Sequence, residues 1–384
     1  MRAIFSILLI LLTLPQVAQA DLCSECPAPG SYWCEYNQEA CDLCWENCSD
    51  DIIRRPRGRV PARDPKLYEL PKTVGVVQAG NHEPLDENKP VTQHFTIEEL
   101  FDELVFHGIS AASIYTKQIP WQFEDGQGWA NPDIKVTVVR PSSKIWTYFE
   151  VGCDGVPRDV WSEYPIAQYA DFLYDMYRHL DKVIIFTDWE LDHMLSGVGC
   201  TGENDRSLEM ALFIKIWIAR QSRALKEVRA RYPDSKLRIL YGPTVSRFPC
   251  NNAGVAMTVS EIVGGLLGND RPDVILMSRW CGKIPLTPSL EWVAATTKYR
   301  PSRIIVAEIG ERQENDQYNT LYDWVMEAWD FGVRTVFIWH WKQTWCGSNG
   351  RGMWEVNEPC DGRVSWGSPT GGYYAIQDLN GRTE

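Results

Sequence analysis

The sequence predicts an α/β chain folded as a (β/α)8 TIM barrel with a small N-terminal disulfide-rich segment. Eight short apolar runs alternate with helical patterns over about 270 residues, the signature of a parallel barrel. No glycine-rich phosphate turn follows the first run, which disfavours an open doubly wound sheet. Six of the twelve cysteines crowd into residues 23–48, too short a stretch to build a core unaided.

Taken in order, the chain opens with Met1-Arg2, the apolar run 3–14 and Ala18-Gln19-Ala20 ahead of Asp21. Charge, core length and small-residue cleavage site are those of a secretory signal over residues 1–20, so a secreted or periplasmic protein is expected, with no membrane anchor after cleavage. The run is too short to span a bilayer, and no other stretch reaches about 18 apolar residues. Residues 21–50 form the Cys-rich module, with Cys23, Cys26, Cys34, Cys41, Cys44 and Cys48. In an exported chain an even count reads as disulfides rather than zinc ligands. Cys153, Cys200, Cys250, Cys281, Cys346 and Cys360 are spread over the rest, mostly in predicted loops that bridges would brace. Residues 51–72 are basic and proline-dotted without apolar periodicity, and read as a linker or arm.

Residues 73–384 are the predicted barrel. Its strands are expected at 73–79, 109–115, 145–151, 182–188, 237–242, 273–278, 303–308 and 335–341. Helices are expected at 96–106, 167–180, 205–232, 258–267, 289–299 and 319–331. The third helix opens at Asn204 or Asp205, carries Leu208, Ala211, Leu212, Lys215 and Ile216 at helical spacing, and stops before Pro233. Between the second and third strands, 135–140 and 145–150 read as a hairpin about Pro141-Ser142-Ser143-Lys144, an insertion decorating the mouth.

Composition narrows the partners. A formal charge of −13, with Lys and Arg scattered, would repel a phosphate backbone, so no nucleic acid partner is expected. Seventeen Trp, sixteen Tyr and twelve Phe are many for 384 residues; they fill a core or offer flat faces to sugar rings in a cleft. A metal-dependent barrel would want a His-x-His pair on the first strand, which instead ends Gln78-Ala79-Gly80. His82, His107, His193 and His340 could still converge with Asp188, but no metal and no cofactor is expected.

The chemistry is expected where barrel strands end. Period-two alternation puts Ile184, Phe186, Asp188 and Glu190 on one side of the fourth strand, taken as the interior, and Val306 with Glu308 on one side of the seventh. Two carboxylates across one mouth are the minimum equipment for cutting a glycosidic bond. A spacing of about 5–5.5 Å gives retention and about 6.5–9.5 Å gives inversion. Tyr115, Lys117, Tyr241, Arg279, Trp280 and His340 fall at or near other strand ends and could line subsites.

These residues carry a resemblance. The segment AEIGE at 307–311 resembles the seventh-strand end of the retaining (β/α)8 glycoside hydrolase clan that includes cellulases and mannanases, and TVFIWHWK at 335–342 resembles its eighth strand. GGYYAIQDLNG at 371–381 is similar to the closing segment of such domains. The resemblance implies Glu308 as nucleophile, Glu190 as acid/base, Trp339 or Trp341 as sugar platform, and a carbohydrate substrate. The fourth strand departs from the clan, which places Asn before the acid where this chain has Trp189. Asp188-Trp189-Glu190 resembles instead the fourth strand of chitinase-like, substrate-assisted hydrolases, although Val183 and Phe186 stand where that signature has further aspartates. A non-catalytic carbohydrate-binding barrel remains a third reading, since fold alone does not fix activity.

Overall fold

Strands that are apolar on both faces need cover on both, and a rolled parallel sheet ringed by helices supplies it. The computed structural model describes residues 65–78, 97–116, 131–141, 166–188, 191–195, 206–248, 258–279, 284–311, 316–339, 341, 353–356 and 366–381. All twelve cysteines, and with them the predicted signal and Cys-rich module, lie outside these residues.

The strands of the main sheet are β1 (Thr73–Gln78), β2 (Ala111–Thr116), β3 (Val136–Pro141), β4 (Val183–Phe186), β5 (Arg238–Tyr241), β6 (Thr244–Val245), β7 (Ile275–Ser278), β8 (Ile304–Ile309) and β9 (Thr335–Trp339). They form one sheet in the order β5-β4-β3-β2-β1-β9-β8-β7-β6, and each adjacent pair is parallel. The two edge segments, β5 and β6, are successive pieces of a single run. Its first half pairs with β4 and its second with β7, so the sheet returns on itself as a TIM-like fold with eight strand positions. Main-chain bonds from Asp273 N to Tyr241 O (2.9 Å) and from Leu276 N to Pro243 O (3.1 Å) join the edges. The run breaks at Gly242-Pro243 because Pro243 has no N–H for a ladder. Gly242 is needed beside it because a Cβ there would lie 2.4 Å from the carbonyl oxygen of Val274.

Two apolar layers follow from alternation. Val77, Val138, Ile185, Leu276, Ile305 and Phe337 belong to the barrel interior. Val76, Ile114, Phe186, Met277, Val306 and Ile338 face the helices. Below the strands, Leu70 closes the interior layer, and Arg238 donates to the carbonyls of Lys66 (3.0 Å) and Glu69. The last residues of the predicted arm, from Pro65 on, thus belong to the barrel unit.

The helices are α1 (Ile97–Phe106), α2 (Ile166–Tyr177), α3 (Asp192–Leu195), α4 (Arg206–Ala230), α5 (Val259–Gly265), α6 (Thr287–Thr297), α7 (Gln317–Phe331) and α8 (Gly371–Asn380). Helix α5 starts with a capping box in which Thr258 Oγ1 accepts from Glu261 N and the Glu261 carboxylate accepts from Thr258 N. At the other end of α7, Gly332 takes φ 102°, the left-handed stop expected after the last apolar turn. The closing segment 371–381 is helical and docks on α7, with Gly372 N donating to buried Gln317 (2.7 Å).

One expected strand is corrected. The third barrel strand is Val136–Pro141, in parallel register with β2 and β4, rather than 145–151, which lies outside the described residues. The sequence pattern by itself places the run Lys135–Arg140 in a hairpin arm. Its residues 136–140 are buried on both faces, which a strand in the middle of a sheet requires and a mouth hairpin does not.

Candidate active site

The site is built from the interior positions nearest the C-terminal ends of the strands. On β4 these follow Val183 and Ile185, so the next interior residue is Thr187, whose hydroxyl lies 2.8 Å from that of Thr244 after β5. Ile184 and Phe186 face the helices, and Asp188 shares their side. Its carboxylate accepts from Trp217 Nε1 on α4 (3.1 Å) and from the Tyr241 hydroxyl. The expectation that Asp188 crowns the interior is therefore corrected, and so is Tyr241 as a subsite residue. Both belong to the layer between sheet and helices. Alternation was sound, but its phase was misjudged because residues 183–186 are apolar on both faces.

On β8 the geometry turns on one extra residue. Val306 pairs with Val336 and Ile309 with Ile338, so three steps on β8 match two on β9. On the other edge Met277 pairs with Val306 and Ser278 with Glu308, two steps against one. This is a β-bulge at Ala307–Glu308, a device that re-aims a side chain. Val306 faces the helices, so strict alternation would send Glu308 there too. With the bulge, Ala307 stays inside, Ile309 returns to the helix layer, and the Glu308 carboxylate meets groups of the interior. The expected sharing of one side by Val306 and Glu308 is corrected accordingly.

Among the described residues, Ser278 and Arg140 receive that carboxylate. Ser278 Oγ donates to Glu308 Oε2 at 2.5 Å, and Arg140 Nη1 lies 3.6 Å from the same oxygen. Arg140 follows Val136 and Val138 on the interior face of β3, and its Nη2 donates to the carbonyl of Ala307 inside the bulge (3.0 Å). Glu308 is 3% exposed and Arg140 fully buried, so the pair interacts in a medium far less screening than water. A cation and a donated hydrogen bond both favour a charged carboxylate.

Of the two predicted platforms, Trp339 is half-buried against the interior layer at the end of β9. Trp341 is corrected to a core residue. It has no exposed surface and is packed by His107, Trp354 and Tyr373 at ring-centroid distances of 5.5, 5.7 and 6.1 Å. Arg279 also turns away, donating to Ser289 Oγ and to the carbonyls of Ile284 and Pro285. Trp189, Glu190, Trp280, His340 and the side chain of Tyr115 lie outside the described residues. Among the described residues no cluster of three or more His, Cys, Asp or Glu forms a metal site, and no helix is long and apolar enough to cross a membrane.

Sequence reading missed Arg140 and Ser278. The signal for Arg140 was a cation closing the strand-like run VTVVR at 136–140. Ser278 ends Ile-Leu-Met-Ser with nothing local to mark it.

The disposition of Asp188 has a measurable consequence. Burial pushes its carboxyl up to about 6 from the ordinary 3.8, against the lowering effect of the bonds from Tyr241 and Trp217. The native state therefore binds this proton more tightly than the unfolded chain does. The resulting stability is fully present below about pH 4 and is lost as pH rises through about 6. Replacing Asp188 by Asn should flatten that slope, and the stability of the variant relative to wild type should rise by up to about 3 kcal/mol between about pH 4 and pH 7. Urea unfolding at the two pH values checks this; a constant difference would contradict it.

The chain matches no protein-family model and no curated protein. Among solved structures it is similar to an endo-β-1,4-mannanase from Thermotoga petrophila, at 11% identity over 82% of this chain and 77% of that one, with TM-score 0.48. A β-glucosidase from Thermotoga maritima in complex with deoxynojirimycin is 12% identical over 81% and 97% of the two chains, with TM-score 0.47. For β-glucosidase 2 from Trichoderma reesei the values are 11%, 81% and 98%, with TM-score 0.49.

Proposed function

We propose that this protein is a secreted glycoside hydrolase that cleaves O-glycosidic bonds of a poly- or oligosaccharide by a two-glutamate retaining mechanism. The observation that supports it most is Glu308, a buried carboxylate swung into the interior by a bulge and received there by Arg140 and Ser278. A charged carboxylate at a barrel strand's C-terminal end is where the fold collects reactive groups.

In this reading Glu308 attacks the anomeric carbon while Glu190 gives its proton to the departing glycosidic oxygen. A glycosyl ester forms at Glu308, and the leaving sugar departs as an alcohol. Glu190, now a carboxylate, takes a proton from water. The water oxygen bonds to the anomeric carbon and the ester breaks, returning Glu308 as a carboxylate. Arg140 lies against Oε2, so it stabilises the charge that reappears in this second step. Trp339 offers an apolar face to a sugar ring. The exported organisation would be a signal at 1–20, a disulfide-stapled module at 21–50, an arm at 51–64, and the hydrolase barrel from residue 65 on.

The substrate-assisted alternative asks Asp188 to orient an acetamido group. Asp188 is instead held between Trp217 and Tyr241 on the helix side, which speaks for the two-glutamate scheme. The test is a panel of polysaccharides and aryl glycosides offered to wild type, with the first-formed product anomer read by NMR. Hydrolysis with retained configuration is expected. An inverted product would remove the mechanism, and binding without turnover would favour a carbohydrate-binding barrel.

A further inference from the structure

Glu308 is gripped from one neighbouring strand in two ways. The bulge brings Ser278 directly opposite Glu308 in the β7–β8 register, although the preceding pair is Met277 with Val306. The next main-chain bond, from Arg279 N to Glu308 O at 2.9 Å, closes the bulge. Arg279 is itself fixed by Ser289 Oγ and two carbonyls of the following loop, so the residue that closes the bulge is not free to drift. Against this fixed backbone the Ser278 hydroxyl binds Oε2 at 2.5 Å, with no exposed surface on Ser278 and 3% on Glu308.

From this geometry we infer that Ser278 is a positioning residue for the hydrolysis, its hydroxyl holding the Glu308 carboxylate in the orientation from which it attacks. Main-chain pairing fixes the Cα of Glu308 but leaves three side-chain torsions; the bond to Oε2 fixes the terminal one. Arg140 reaches the same oxygen at the longer distance of 3.6 Å and supplies charge more than direction. The inference rests on reading Glu308 as the nucleophile.

The experiment compares Ser278→Ala, Ser278→Thr and Glu308→Gln with wild type on the best aryl glycoside of the panel, each variant checked by thermal unfolding. Ser278→Ala should lower kcat by about 10- to 100-fold, the usual cost of a hydrogen bond to a charged group. KM should change by less than about threefold, because the ground-state complex does not depend on the attack angle. The acid limb of kcat/KM should move up by about one pH unit, since the lost donor favoured the charged carboxylate. Ser278→Thr, which keeps the hydroxyl, should recover most of the rate. Should the alanine variant fail to fold, Ser278→Cys, similar in size but a weak donor, is expected to show the same losses. A kcat within about twofold of wild type with an unmoved acid limb would overturn the role. So would a threonine variant as slow as alanine. An active Glu308→Gln removes the nucleophile reading itself, whereas an inactive one beside an unchanged Ser278→Ala overturns the Ser278 role alone.

Discussion

Replacing Glu308 by Gln should lower kcat by at least about four orders of magnitude while leaving the fold intact, because a covalent route loses its nucleophile and water has no comparable substitute. Glutamine is the fair replacement. It keeps an amide oxygen for Ser278 and Arg140, which hold Oε2 of the native carboxylate. Alanine would leave the fully buried guanidinium without even that acceptor, mixing a larger stability loss into the kinetics. Steady-state rates with unchanged thermal unfolding separate the two effects. A variant retaining more than about 1% of wild-type kcat would assign the attacking role elsewhere.

The second large effect is on stability. Arg229 on α4 reaches Asp273 at the start of the β7 run with both terminal nitrogens, Nη1 to Oδ2 at 3.1 Å and Nη2 to Oδ1 at 3.0 Å. Tyr241 N adds a third bond to Oδ2 at 3.2 Å, tying the pair to the seam where the sheet returns on itself. Burial alone would push the Asp273 carboxyl up, yet the Arg229 charge and its hydrogen bonds bring it below the ordinary value. A depressed folded value means stability that is present above the unfolded value of about 3.8 and lost as pH falls through the folded one.

Arg229→Met leaves that carboxylate buried without its cation and should cost about 3–5 kcal/mol at neutral pH. The double variant Arg229→Met with Asp273→Leu should recover part of the loss, since an apolar pair needs no desolvation of charge while the Tyr241 amide loses its acceptor. Urea unfolding of the single and double variants measures this. A single variant within about 1 kcal/mol of wild type would show that the pair does not hold the seam.

The barrel was legible because its strands are covered on both faces and so read as apolar runs, with helices of clear period between them. Residues 183–186, 275–278 and 304–309 show this directly, every residue being buried. The same property hid the phase. With Ile184, Ile185 and Phe186 all apolar, nothing local says which face looks inward, and Asp188 followed the wrong one. The third strand failed for a related reason. Two strand-like runs flank Pro141-Ser142-Ser143-Lys144, and only pairing with β2 and β4 shows that 136–141 is a barrel strand.

Glu308 was found for a reason that the structure refines. Its place at the end of an apolar run was readable, but its direction depends on a bulge defined by two neighbouring strands. Register across strands is a long-range property, and so is the meeting of Arg140, Ser278 and Glu308 from three of them. Trp339 and Trp341 differ by two positions, yet one is half-buried against the interior layer and the other is enclosed by His107, Trp354 and Tyr373, contributed by distant segments.

The most direct test of Glu308 as nucleophile is Glu308→Gly assayed with azide on an activated aryl glycoside, the anomeric configuration of the product being read by NMR. A small anion entering the space left by the carboxylate should restore turnover and give a glycosyl azide of configuration opposite to the substrate. No azide product, or an azide of retained configuration, would contradict the role assigned to Glu308.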